Sequence, residues 1–262
     1  MKLRTLACMS VLLMVGIAAA PAASAVSLSR YVVTIATPAA TMSLGNSMKV
    51  TGVVRGAGAT KVTLYQLSGK RWVPWRSASL VAGRYTVYYK PVSPGGHTIC
   101  VATPTTKKHR SGTSPSKTVT VYKWHYLSDF ANTTRVVGNS SFYLEGVANI
   151  NGRTYLHTPQ DHQWSVNDTG YVEYNLSRAC LTFRMTGGLT DESPTGGSAE
   201  LEVQTDGVPR WARTMAVGQS QALSMGVQGN LRLRLGDTVV TAAPNGYATQ
   251  SAFGNAQVLC LF

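Results

Sequence analysis

An all-β chain of two successive β-sandwich domains is the fold expected of this 262-residue sequence. Short runs alternate apolar and polar residues with period two, Gly-containing turns separate them, and no long amphipathic helix pattern occurs. Strands of that kind each bury one face, so they need a second sheet to cover it.

Residues 1–25 stand apart as an expected signal peptide. Lys2 and Arg4 precede an apolar run at 6–20, and Ala23-Ser24-Ala25 is a small-residue cleavage site. The run is short for a membrane span and ends at Pro21. No later stretch approaches the ~20 apolar residues that a span requires. The mature chain is therefore expected to be secreted or associated with the cell surface, with no transmembrane span.

Residues 26–123 are expected to form the first sandwich. Lys61-Val62-Thr63-Leu64-Tyr65 places Val62 and Leu64 on one face, and the run from Arg84 places Tyr85, Val87 and Tyr89 together. Ser68-Gly69-Lys70 and Ala82-Gly83 read as turns. His97-Thr98-Ile99-Cys100-Val101 and Lys117-Thr118-Val119-Thr120-Val121-Tyr122 supply the last strands. A long polar loop carrying Lys107, Lys108 and Arg110 joins them. The blocks Val62-Thr63-Leu64-Tyr65-Gln66, Gly69-Lys70-Arg71-Trp72 and Gly83-Arg84-Tyr85 resemble the bacterial immunoglobulin-like repeats of exported actinobacterial proteins. Such repeats serve as spacers or adhesion modules.

Charge divides the chain at the same place. Residues 26–125 hold fourteen Lys or Arg and no Asp or Glu, whereas residues 126–262 hold eight Arg and all eleven acids. A domain without carboxylates carries a positive potential over most of its surface. Its expected partners are anionic cell-wall polymer or acidic polysaccharide, with Lys107, Lys108 and Arg110 as anion contacts. Export argues against nucleic acid as a normal partner.

Residues 124–262 are expected to form the second sandwich, with almost no linker before it. Tyr171-Val172-Glu173-Tyr174-Asn175-Leu176 alternates, and Leu181, Phe183 and Met185 share a face. Leu201 and Val203 point inward, and Leu231, Leu233 and Leu235 alternate with Arg232 and Arg234. Three cysteines follow the signal segment. Cys180 and Cys260 both lie in strand-like runs of this half, and an exported chain meets oxidising conditions, so they are expected to pair. Cys100 is left as a buried thiol, with pairing between two copies as the alternative.

The second half also carries ordered blocks. They are Tyr126-Leu127-Ser128-Asp129, Ile150-Asn151-Gly152-Arg153-Thr154-Tyr155-Leu156-His157, Gly187-Gly188-Leu189-Thr190-Asp191-Glu192-Ser193-Pro194, Val203-Gln204-Thr205-Asp206-Gly207 and Leu231-Arg232-Leu233-Arg234-Leu235. The series closes on Gly254-Asn255-Ala256-Gln257-Val258-Leu259-Cys260. In this order they resemble the NPCBM modules of secreted and surface proteins of actinobacteria and of some glycoside hydrolases. The resemblance implies a jelly-roll-type sandwich that binds carbohydrate and performs no chemistry. Sugar-binding members carry an acidic segment with His and Trp near the C-terminus. Here that place reads Thr249-Gln250-Ser251-Ala252-Phe253-Gly254-Asn255-Ala256, without Trp or charge. The departure leaves two alternatives, a different glycan or a scaffold that has lost its ligand.

Sugars are held by aromatic rings against their C–H faces and by polar side chains at their hydroxyls. Tyr155, His157, His162 and Trp164 are the candidates, the last three in a stretch that reads as a surface loop. No catalytic residue is expected. Asp191 and Glu192 are adjacent, so they cannot flank a glycosidic bond as a carboxylate pair must, and no Gly-x-Ser-x-Gly elbow occurs. No cofactor is expected and no metal ligands are assigned. A calcium ion would suit such a sandwich, but the residues define no shell for it. Two further alternatives stay open: a structural or adhesion protein without sugar binding, and an accessory part of a polysaccharide hydrolase.

Overall fold

A computed structural model describes residues 28–37, 39–130, 135–137, 142–144 and 146–262, with the backbone alone at 135–137 and 245. The expected signal peptide lies outside the described residues. The first half contains β1 (Val32–Val33), β2 (Thr41–Ser43), β3 (Met48–Arg55), β4 (Lys61–Ser68), β5 (Arg71–Ser79) and β6 (Arg84–Tyr89). It ends with β7 (Gly95–Thr103), β8 (Gly112–Thr113) and β9 (Lys117–Tyr126). β1, β3 and β6 form one antiparallel sheet, and β5-β4-β7-β9 forms the other, with β2 parallel to β9 and β8 on the end of β7. Val50, Tyr85, Val87 and Tyr89 meet Val62, Leu64, Ile99, Val101, Val119 and Val121 in a single core between the sheets. The period-two faces read from the sequence are the faces that pack. Cys100 is buried beside this core, and desolvation raises its thiol pKa.

The second half contains β10 (Arg135–Val137), β11 (Phe142–Tyr143), β12 (Ala148–Ile150), β13 (Arg153–Tyr155), β14 (Gln160–Gln163), β15 (Thr169–Asn175) and β16 (Cys180–Leu189). It continues with β17 (Ser198–Thr205), β18 (Val208–Ala216), β19 (Ser220–Gly226), β20 (Arg232–Thr241) and β21 (Thr249–Cys260). A five-stranded sheet, β10-β15-β20-β17-β18, faces a second sheet centred on β21. Val172, Tyr174, Leu201, Val203, Leu233 and Leu235 from the first sheet pack on Phe183, Met185, Phe253 and Val258 from the second. The Asn151-Gly152 and Asp206-Gly207 pairs have positive φ at both residues. Those angles suit the two-residue hairpins joining β12 to β13 and β17 to β18. Cys180 and Cys260 are register partners at the ends of β16 and β21, and they form a disulfide.

β9 passes through the expected junction without a break. Its first residues pair with β7, from Lys117↔Ile99 to Val121↔Gly95, and its last four, Lys123–Tyr126, pair with β21. The final strand of the first sandwich was expected to stop at Lys123. It extends because Trp124 and Tyr126 find backbone partners on β21, a relation between residues more than a hundred positions apart that no local pattern displays.

The stretch after His157, expected as a surface loop, contains the strand β14. Its Asp161 and Gln163 point into the sandwich and are buried. Polar residues occupy the inward positions, so the apolar alternation that announces a strand is missing. Asp161 lies across the sandwich from Asp237 of β20, also buried. The Asp161 carboxyl and the Ser251 hydroxyl face Asp237 and interact with it, but neither meets its oxygens in full hydrogen-bonding geometry. Burial, and then the charge of Asp161, raise the Asp237 pKa well above 3.8. Burial also raises Asp161, against the hydrogen bonds it receives.

Candidate functional site

The sheet centred on β21 is unusual along one edge. β14 and β9 pair with the same side of β21, one after the other, while β16 pairs with the opposite side. Between the two edge partners β21 bulges, and the register with β16 shifts between Arg184 and Thr186. Asn255 sits in this bulge with φ 46°, a conformation rare for a residue other than Gly. Its Oδ1 accepts a hydrogen bond from the His157 backbone N–H at 3.3 Å. The bulge thus turns a side chain outward to hold the segment that fills the gap between β14 and β9.

Next to the bulge, four strands bring side chains into one row on the outer face. Ser224, Arg184, Gln257 and Tyr126 are successive register partners across β19, β16, β21 and β9. Side chains directly opposite in an antiparallel pair share a face, so the row presents a hydroxyl, a guanidinium, an amide and a phenol side by side. Arg184 donates from Nε and Nη2 to Gln257 Oε1 at 2.9 and 2.6 Å, and its Cζ lies 4.0 Å from the Trp124 ring centroid. Tyr126 and His157 stack with ring centroids 3.8 Å apart and planes at 21°. His157 Nδ1 is buried without a hydrogen-bond partner.

The β12–β13 hairpin closes one side of the row. Ala148, Ile150 and Tyr155 pack with Ala252 as a small separate cluster. The hairpin can lie this close because β16 and β21 carry glycine beneath it. A Cβ on Gly254 would stand 2.6 Å from the Tyr155 ring, and one on Gly188 would stand 2.5 Å from Ile150 Cγ2. Replacing Gly254 with Ala is therefore expected to lift the hairpin. The stability cost is about 1–3 kcal/mol, the usual range for overpacking. Faster hydrogen exchange in β12 and β13 would accompany the fall in melting temperature, and unchanged exchange there would contradict this account.

Row and hairpin together enclose an open hollow of about 520 Å³, lined among others by Tyr126, Arg153, Tyr155, Arg184, Asn255 and Gln257. Tyr155, expected from the sequence, borders the hollow with most of its ring buried, and His157 stands behind Tyr126. His162 and Trp164 are not among its lining residues. The His162 ring is 4.9 Å from Tyr143, and Trp164, half exposed, begins a turn whose backbone N–H groups bind the Asp168 carboxylate. Tyr126, Arg184, Asn255 and Gln257 were not singled out as ligand contacts from the sequence. Three of them lie in the ordered blocks, Tyr126 opening the first and Asn255 and Gln257 in the last. Arg184, on the face opposite Phe183 and Met185, stands outside the blocks.

The basic loop of the first half is tied down. The Tyr31 hydroxyl donates to the Ala57 carbonyl at 3.0 Å and lies 2.7 Å from Thr106 Oγ1. His109 Nε2 accepts from the Ala57 N–H at 3.2 Å, so its other ring nitrogen, Nδ1, donates to Ser29 Oγ at 2.8 Å. β8 pairs the loop's far end to β7. Lys107, Lys108 and Arg110 are exposed on this framework. Among the described residues, no three His, Cys, Asp or Glu side chains gather as a metal site, and no helix is long and apolar enough to cross a membrane.

Residues 126–259, just over half of the chain, match the NPCBM/NEW2 domain. No curated protein matches the chain. Among solved structures, the CBM51-2 and INT domains of Clostridium perfringens ZmpB are 16% identical, with a TM-score of 0.40. That match covers 64% of this chain, which spans 38% of the length of the other. The CBM51 from Clostridium perfringens GH95, in complex with methyl-galactose, is 17% identical, with a TM-score of 0.41. It covers 52% of this chain and 99% of its own.

Proposed function

Since the chain belongs to the NPCBM/NEW2 domain family, a family of carbohydrate-binding modules, we propose that its second half is a non-catalytic module that seats a glycan in the outer-face hollow. The observation that carries this reading is the register row Arg184–Gln257–Tyr126 beside the Asn255 bulge. It supplies one aromatic face, backed by His157, and several fixed polar groups, which is what a sugar ring requires. Tyr155 and His157 shape and support the seat. Modules of this kind bind weakly, and a dissociation constant on the order of 0.1–1 mM corresponds to roughly −4 to −5.5 kcal/mol.

The first half, without a carboxylate, is proposed as an immunoglobulin-like spacer that rests on anionic cell-wall polymer or acidic polysaccharide. Lys107, Lys108 and Arg110 stand on its anchored loop, and the whole protein is proposed to be secreted or held at the cell surface.

Titration calorimetry and affinity electrophoresis against a panel of neutral and acidic glycans test the reading at physiological salt, where loose charge attraction is screened. Tyr126→Ala is expected to weaken glycan binding about tenfold or more, in line with the loss of a stacking ring. If Trp164→Ala removes binding and Tyr126→Ala does not, the seat is the alternative one at His162 and Trp164. Absence of binding to any glycan would leave the module as a scaffold.

A further inference from the structure

We infer that the sugar seated in this hollow carries an anionic group, a carboxylate or a sulfate or phosphate ester, and that Arg184 receives it. The inference rests on the hollow being the sugar seat. Two arginines, Arg153 and Arg184, border the hollow, and no carboxylate does. Elsewhere in the same half, Arg232 and Arg234 reach Glu173 at 2.7 and 3.1 Å, while Arg178 and Arg213 donate only to backbone carbonyls. Among the described residues, neither Arg153 nor Arg184 has an acidic partner.

Arg184 is also held in position. Its Nε and one Nη2 hydrogen are spent on Gln257 Oε1, and its plane is backed by the Trp124 indole. The remaining N–H groups have no acceptor among the described residues. A guanidinium fixed this way has given up its rotamer freedom before the ligand arrives, so less is lost when an oxyanion docks. Arg153 lies with its Cζ 5.6 Å from the Tyr155 ring centroid and adds a second positive charge at the rim. A neutral hydroxyl would accept one ordinary hydrogen bond there. A carboxylate or sulfate would accept charge-assisted bonds, which are about twice as strong.

The test uses four probes on the full chain at about 0.15 M salt: trigalacturonate, its methyl ester, lactose and 6-O-sulfo-lactose. The expected result is that at least one acidic probe binds about tenfold or more tightly than its neutral counterpart. Arg184→Gln should bring it down to the neutral level, while Arg184→Lys, which keeps the charge but not the fork, should fall between. Preference for trigalacturonate over its ester identifies a uronate, and preference for 6-O-sulfo-lactose over lactose identifies an ester of an inorganic acid. Equal binding of acidic and neutral probes, with loss on Tyr126→Ala, overturns the inference and leaves the glycan seat standing. Preference for acids that survives in a folded Arg184→Gln protein overturns it as well, by placing the anion contact elsewhere. Failure of every probe, and of the wider glycan panel, overturns both.

Discussion

Replacing Cys180 and Cys260 together by alanine is expected to lower the melting temperature of the second half by on the order of 10 °C. The bridge joins residues 80 positions apart, at the paired ends of β16 and β21. On the loop-entropy account a closure of that length restricts the unfolded chain by about 4.5 kcal/mol, and removal of native disulfides typically costs about 2–5 kcal/mol. A value of about 3–4 kcal/mol is expected here. Both side chains are buried in the core, so the truncated variant also loses packing. A half of this size shifts by about 2–4 °C per kcal/mol. The consequence extends to the site, because Gln257 and Leu259, just before Cys260, hold the end of β9 with Trp124 and Tyr126. Calorimetry of the double variant should therefore show both a lower transition and weaker glycan binding. A fall of less than about 2 °C would contradict the assignment of this bridge as a main restraint.

The Asp161–Asp237 pair sets the second large effect. Both folded-state pKa values are raised, Asp237 well above 3.8. The native state therefore holds more protons than the unfolded state once the pH exceeds that value. Stability contributed by the pair is greatest below pH 3.8 and is lost as pH rises toward the raised native value. The slope reaches about 1.4 kcal/mol per pH unit while one extra proton is retained. Asp237→Asn removes the like charge and offers Asp161 an amide donor. The variant is expected to match the parent near pH 4 and to exceed it at pH 7 by about 2–3 kcal/mol, the scale of relieving a buried uncompensated charge. The difference between the two unfolding curves across pH isolates this pair from the remaining carboxylates. A variant less stable than the parent at pH 7 would show that the pair stabilises the charged state instead.

Much of the scaffold is legible locally. β6 and β17 place apolar residues at alternate positions (Tyr85, Val87, Tyr89; Ala199, Leu201, Val203), and those residues are buried. β4 and β20 do so at Val62 and Leu64 and at Leu233 and Leu235, also buried, before a polar residue, Gln66 or Asp237, takes the next inward place. The cysteine pairing follows from two strand-like runs in one half. β14 is not legible, because Asp161 and Gln163 occupy its inward positions. The short β1 and β2 hold two and three residues, too few to show a period.

The candidate site is legible in parts only. Tyr126, Tyr155 and Gly254 lie in blocks that mark the family, but their meeting depends on β9, β13 and β21 converging across the sequence. Arg184 and Gln257 stand 73 positions apart and become neighbours through strand register alone. The Gly254-Asn255 pair, both residue types depleted in regular strands, is the one local sign of the bulge, and it does not say which side chain turns outward.

The most direct test of the central claim, that the second half seats a sugar in the outer-face hollow, is amide chemical-shift mapping of the labelled protein during titration with the tightest-binding glycan of the panel. The result expected is a set of saturable shifts centred on Tyr126, Arg184, Asn255 and Gln257, with the side-chain amide of Gln257 among them. Shifts centred on His162 to Trp164, or on Lys107 to Arg110, with the hollow unchanged, would contradict it.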